Sequence, residues 1–189
     1  MRWVTEVASV EAEPQQHTVV VCAGHSATDP GAVAHGHTEA EIVTGFRDLV
    51  SQALADQGIR HLTDGPAQHN WPLSEAVELA ARADIAVEFH CNAASPKATG
   101  TETLSHHTDF PLAGRLCTVT AEALGIRNRG AKPENAGQHH RLAFVSDGGG
   151  IIHELFFLTC QDDLAAYQQH REALAERVAG AIAEAARRA

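Results

Sequence analysis

The chain has 189 residues, 24 acidic side chains against 14 Lys and Arg, and a formal net charge of −10. The length fits one domain with its own core, and 44% apolar with 20% charged residues is a globular composition. The acidic balance argues against nucleic-acid binding, which draws affinity from Lys and Arg on phosphates, and against a polybasic membrane anchor. The longest apolar runs, Thr18 to Ala23 and Leu155 to Leu158, are too short to span a bilayer.

Met1 to Glu13 carries Glu6, Glu11 and Glu13 and no continuous apolar stretch, so it does not read as a Sec signal peptide. Residues 1–17 read as a leader, with weak alternation from Arg2 to Val10 that suits an edge strand. The domain spans 18–189. Thr18 to Cys22 is a continuous apolar run, the mark of a strand buried on both faces. A loop rich in Gly, Asp and Pro follows, to His37. Thr38 and Glu41 form a capping box that makes Glu39 the first residue of a helix. Ile42, Phe46, Leu49, Val50 and Ala53 form its apolar stripe, and Gly58 stops it.

Ile59 to Thr63 predicts a short strand, Leu73 to Ala83 a helix, Asp84 to Cys91 a buried strand and Gly100 to Ser105 another short one. Asp109 is placed to cap a third helix that ends at Gly125. Residues 126–141 are polar and predict a long exposed loop. Leu142 to Val145 and Ile151 to Phe157 predict two strands across the turn Ser146 to Gly150. A last helix starts at Asp162 or Asp163, with Tyr167, Leu174, Val178 and Ile182 on its apolar face and Arg187 and Arg188 at its negative end. Strands alternating with helices predict an α/β fold. The expected architecture is a single three-layer domain, a mostly parallel central sheet of about six strands with helices on both faces. Cys22, Cys91, Cys117 and Cys160 lie far apart without a C-x-x-C and read as reduced core thiols.

In such sheets the active site lies at the carboxyl ends of the strands. His25 follows the first strand, His90 ends the buried strand, Glu154 sits within Ile151 to Phe157, and Glu39 and Glu41 open the first helix. Two His and one carboxylate with an open fourth position is the composition of catalytic zinc sites, and a further carboxylate then serves as proton acceptor. Each residue has a plainer reading: His25 as a loop histidine, and the two Glu as acids favoured at any helix start. Glu154 is the sharpest signal, because a carboxylate among Ile151, Ile152, Leu155, Phe156 and Phe157 is costly to bury. His153 and Glu88 are set aside as pointing to the faces opposite Glu154 and His90.

These residues carry a resemblance. Val20-Val21-Cys22-Ala23-Gly24-His25 with Asp29-Pro30-Gly31-Ala32, then Gly36 and Glu39-Ala40-Glu41-Ile42-Val43, resembles the opening motif of the zinc-dependent N-acetylmuramoyl-L-alanine amidases (family 3). Val87 to Ala94, Gly100 to Thr103 and His153 to Thr159 match that family's later motifs in order. The resemblance implies one catalytic Zn2+ held by His25, Glu39 and His90, with Glu39 preferred to Glu41. It implies Glu154 as catalytic glutamate and peptidoglycan as partner, cut between the muramic acid lactyl group and L-alanine. Cys91, Leu155 and Thr159-Cys160 depart from the usual family residues, and no helical insertion precedes the third helix, so the cleft is expected to be open.

Arg127, Arg129, Lys132 and Arg141 concentrate basic charge in 126–141. Lys132, Arg129 and Asn92 are the candidate substrate-binding residues, with the stem-peptide carboxylates as their target. His35, His37, His106, His107, His139 and His140 read as surface residues, with His35 and His37 placed to line the cleft. Zinc carboxypeptidases and N-formylglutamate-type amidohydrolases use a similar ligand set, but the carboxypeptidase pattern wants its first His and Glu about three residues apart, and here they are 14 apart. A non-enzymatic cell-wall-binding module has no use for a buried base. The expected setting is a monomeric phage or prophage endolysin, without nucleic acid or membrane insertion, made in the cytoplasm and released to the wall by a holin.

Overall fold

The structure is a computed structural model that describes residues 18–26, 28–136 and 141–188. The edge strand expected at Arg2 to Val10 lies outside them. The first strand, β1 (Val19–Ala23), is buried along its whole length, as its unbroken apolar run demands. A two-stranded ribbon, β2 (Val33–Ala34) and β3 (His37–Thr38), leads into α1 (Glu39–Asp56). Thr38 caps α1 and the box with Glu41 is complete. Strand β4 (His61–Thr63), helix α2 (Leu73–Ala80), strand β5 (Ile85–Asn92), strand β6 (Thr101–Ser105) and helix α3 (Phe110–Leu124) follow near the expected positions. Asp109 does occupy the N-cap position of α3, but its side chain makes no capping bond. Strand β8 (Ile151–Phe157) and helix α5 (Gln161–Arg188) close the chain, and Tyr167, Leu174, Val178 and Ile182 are buried as the stripe requires.

Two expectations are corrected. Residues 126–141 are not simply a loop, because Asn128–Pro133 form a sixth sheet strand, β7, parallel to β6. A terminal strand has one neighbour and can stay half-solvated, so it lacks the apolar run that marks an interior strand. Leu142 to Val145 is not a strand that pairs across a turn. Ala143–Ser146 is a short helix, α4, tied by backbone bonds from Gly148, Gly149 and Gly150 to Ala143, Val145 and Phe144. An apolar run of that length does not distinguish helix from strand.

The sheet order is β4-β1-β5-β8-β6-β7. All neighbours are parallel except β6 and β8. The larger core joins one face of the sheet to α1, α3 and α5, with Phe46 and Phe89 packed edge to face at 5.0 Å and Phe156 stacked on Tyr167 at 4.9 Å. The other face is covered only by α2 and α4, through Ala76, Ala80, Phe144 and Val145. On that thinly covered face Glu88, His90, Glu154 and Glu102 share the alternation of Ala86, Ile152 and Leu104. The fold is thus a three-layer α/β domain with its polar row on the lightly covered side.

The four cysteines are buried and free, as read from their spacing. A buried ion pair anchors the loop after β1. Arg47 and Asp64 are both fully buried and lie 2.7 Å apart. Arg47 also donates to Asn70 and to the carbonyls of Pro66 and His69. Asp64 accepts from the amide of Ala23, and Asn70 donates to the carbonyls of Ala23 and His25. Burial pushes the Asp64 carboxyl upward, and Arg47 pulls it back. Removing one partner of such a pair strands the other in a low-dielectric site. Arg47→Leu is therefore expected to lower the unfolding free energy by about 3–5 kcal/mol in urea denaturation; a loss below about 1 kcal/mol contradicts the pair's anchoring role.

Candidate functional site

Three backbone features bring the first histidine into place. The Gly24 amide donates to the Phe89 carbonyl at 2.9 Å, locking the turn to β5. A Cβ on Gly24 would stand 2.1 Å from the His90 ring, so only glycine fits there. His25 itself has φ 63°, a left-handed conformation uncommon for any side chain other than Asn, Asp or His. The Asn70 bond to its carbonyl helps hold that conformation. Gly31, at φ 65°, leaves the space where a Cβ would meet Glu39 Oε2 and the His25 ring, both at 2.6 Å.

Glu39 is 4% exposed at the first position of α1. Its Oε2 accepts from the Ala32 amide at 2.9 Å and its Oε1 from the Cys91 amide at 2.9 Å. The same Oε1 lies 3.0 Å from His90 Nδ1 and 3.3 Å from His25 Nε2. Burial raises the Glu39 pKa, but the bonds to His25 and His90 outweigh it and hold the carboxyl far below the usual range. The His25 imidazole is pushed up, first by its bond to Glu39. For His90 burial works downward, yet the Glu39 and Glu88 carboxylates carry it well above the ordinary value.

The free ring nitrogens of both histidines rest on carboxylates as well. His25 Nδ1 is 3.1 Å from Asp29 Oδ2, and His90 Nε2 is 3.0 Å from Glu88 Oε2. Ligand atoms of His25, Glu39 and His90 lie within 4.8 Å of one another, a span that one ion can bridge. The donor set is that of a catalytic zinc site, and an outer carboxylate on each imidazole is the usual partner of a ligating histidine. The residues present therefore fit a zinc ion.

Glu154 stands beside His90 in the β5–β8 register and beside Glu102 in the β6–β8 register. Its Oε2 is buried without a hydrogen-bond partner among the described residues. Burial pushes its pKa up to about 7, with the charges of Glu39 and Glu102 adding and those of His90 and His25 opposing. A carboxyl poised near neutrality suits proton transfer in both directions. Glu102 gathers the expected substrate residues. Arg129 Nε and Lys132 Nζ both contact its Oε2, Lys132 at 2.7 Å, and Asn92 donates to its Oε1 at 3.1 Å. Burial works against the Glu102 charge, but Lys132 and Arg129 hold its carboxyl low. The Arg129 guanidinium also lies 5.0 Å above the Phe157 ring.

The structure brings His25, Glu39, His90 and Glu154 to one cavity of about 350 Å³, with Asn92 in its wall. Arg129 and Lys132 reach the site's edge through Glu102. One expectation is wrong: Glu88 is not turned away from His90, because residues two apart on a strand share a face. His153 does face away from Glu154, buried beside the hydroxyls of Thr101 and Thr120. Sequence reasoning missed Asp29 and Glu102 as site residues. The signal for Glu102 was its place in the Gly100 to Thr103 motif, beside a buried strand of the same sheet. Neither cavity at the site is lined by His35 or His37; His35 contacts the Thr159 carbonyl and His37 contacts Gln168. The rings of His106 and His107 pack on each other before α3. His139 and His140 lie outside the described residues.

The family model described as N-acetylmuramoyl-L-alanine amidase matches residues 19–187. The chain belongs to this family. A Neisseria meningitidis structure assigned to N-acetylmuramoyl-L-alanine amidase is 38% identical, with TM-score 0.82 over 89% of this chain and 95% of that one. The amidase AmiC2 of Nostoc punctiforme is 24% identical, with TM-score 0.78 over 91% of this chain and 98% of that one, and shows the same fold. The uncharacterized protein YqiI of Bacillus subtilis is 29% identical over 80% of this chain and 76% of its own length. The resemblance read from the motifs is thereby borne out at the level of the family and of peptidoglycan amidase chemistry.

The Glu154 environment has a stability signature. Its folded pKa of about 7 lies above the ordinary 4.5. Folding therefore favours the protonated form, and this group's contribution is present below about pH 4.5 and lost as pH rises through about 7. In metal-free protein, Glu154→Gln is expected to gain about 2–3 kcal/mol over the parent between pH 5 and pH 8 in urea denaturation. Parallel pH–stability curves for the two proteins contradict this environment.

Proposed function

We propose that the chain hydrolyses the amide between the muramic acid lactyl group and L-alanine of peptidoglycan, with one zinc ion held by His25, Glu39 and His90. The observation that carries this reading is the buried, unpartnered Glu154 oxygen beside His90 and the His25–Glu39 pair. Zinc, when bound, supplies a Lewis acid for the carbonyl oxygen and lowers the pKa of a water toward about 7. Glu154 takes the proton from the attacking water as its oxygen joins the carbonyl carbon. It returns that proton to the alanine nitrogen as the C–N bond breaks, leaving a lactyl carboxylate and a free amino terminus. His25 and His90 are oriented by Asp29 and Glu88, so they do not reorganise during the reaction. Lys132, Arg129 and Asn92 receive the stem-peptide carboxylates, while Glu102 keeps the two cations together at the site's edge.

The carboxypeptidase reading is disfavoured because Glu39 reaches the site from a different segment than His25. A binding module is disfavoured because an unpaired buried carboxylate is costly without a reaction to serve. The proposal includes the phage or prophage endolysin setting. No helix among the described residues is long and apolar enough to cross a membrane, and passage to the wall by a separate holin belongs to the same reading.

Digestion of purified muropeptides is expected to give sugar with a free lactyl carboxylate and peptides with an L-alanine amino terminus, both read by mass spectrometry. Glu154→Gln is expected to lose about 10²–10⁴-fold in rate while keeping its metal. His90→Ala is expected to lose the metal itself, read by elemental analysis. Full activity in Glu154→Gln, or unchanged zinc in His90→Ala, contradicts the assignment. Lysis of producing cells without a holin contradicts the endolysin setting.

A further inference from the structure

A second cavity, of about 280 Å³, adjoins the site on its β1 side and shares His25, His90, Leu142 and Ile152 with it. Its outer wall is Trp71, Pro72 and Leu73 at the start of α2, and its floor includes Ala76 and Phe144. Trp71 is 44% and Leu73 55% exposed, so this wall offers apolar surface to solvent beside a reactive centre. The wall is fixed in place, because the Trp71 amide donates to the Asp64 carbonyl at 2.7 Å and Asp64 belongs to the buried Arg47 pair. Two carboxylates, Asp29 and Glu88, also line it, and among the described residues no Lys or Arg does. Arg141, next to Leu142, contacts Asp147 and stands outside the lining.

The two sides of the centre therefore differ in charge. Along the sheet order, the acidic and aromatic cavity lies over β1 and β5, and the Arg129–Lys132 cations lie over β6 and β7. The two halves of the proposed substrate differ in the same way. The sugar half is neutral, since its one carboxyl is consumed in the amide, and it carries hydroxyls and methyl groups. The peptide half carries free carboxylates.

We propose that the Trp71–Leu73 cavity is the seat of the N-acetylmuramic acid ring, and that the stem peptide leaves the centre in the opposite direction, toward Arg129 and Lys132. This rests on the amidase reading and adds the polarity of substrate binding to it. A sugar placed here lays an apolar face on the Trp71 indole and gives hydroxyl hydrogens to Asp29 and Glu88. An anionic peptide in the same cavity would instead lie against those two carboxylates, which repel it.

The test compares zinc-loaded full-length protein on two soluble substrates, a muramoyl peptide and the same peptide carrying only a D-lactyl group. The readout is the ratio of their kcat/KM values, which does not depend on the fraction of folded enzyme. The parent protein is expected to prefer the muramoyl peptide. Trp71→Ala is expected to cut that ratio about tenfold, the loss of one partly buried aromatic face, and Leu73→Ser to cut it less. Ratios unchanged in both variants, or an equal fall in Lys132→Ala, overturn the placement. Cleavage of neither substrate by the parent sinks the amidase reading, and this inference with it.

Discussion

A single buried carboxylate organises the site. Glu39 sits almost fully out of water, where an uncompensated charge is costly, and four groups converge to compensate it. Two are backbone amides, from Ala32 just before β2 and from Cys91 in β5, which tie both segments to the start of α1. Two are the histidines that make the centre. The positive end of the α1 dipole adds to them, and the Thr38–Glu41 box fixes where that end begins. The glycines at 24 and 31 follow from the same requirement, since a Cβ at either would occupy the space that the His90 ring, the His25 ring and Glu39 need.

The second constraint comes from the one antiparallel pairing in the sheet among the described residues. Because β6 runs against β8, Glu102 near its start lies beside Glu154 rather than at the far end of the sheet. The neighbouring negative charge helps to raise the Glu154 pKa, and Arg129 and Lys132 keep Glu102 ionised enough to exert it. The same pair of cations answers the question posed by a chain of net charge −10 that acts on an anionic wall. Basic groups are drawn to the edge of the cleft by Glu102, so the local field differs from the global one.

Much of this was legible in the sequence, for identifiable reasons. The unbroken run at Val19 to Cys22 and the Thr38–Glu41 box are local signals that tertiary context does not override, and they fixed β1 and the first residue of α1. Glu154 was legible because a charge in an apolar strand has few bland explanations. Strand β7 was not legible, since a terminal strand carries no core-facing run. Helix α4 was hidden by its brevity, with three glycines after it that read equally as a turn. Glu88 was misplaced although strand periodicity alone puts it on the face of His90. The meeting of Glu102 with Glu154 depends on strand order, which no local pattern encodes.

His25, Glu39 and His90 together offer a zinc ion two imidazoles and one carboxylate. X-ray absorption at the zinc edge tests this ligand set directly on the purified protein, because Cys91 lies beside Glu39 and a thiolate is readily told from nitrogen and oxygen ligands. The expected result is one zinc per chain with two imidazoles, oxygen as the remaining ligands and no sulfur. Sulfur in the coordination shell, or a protein that takes up no zinc at all, contradicts it.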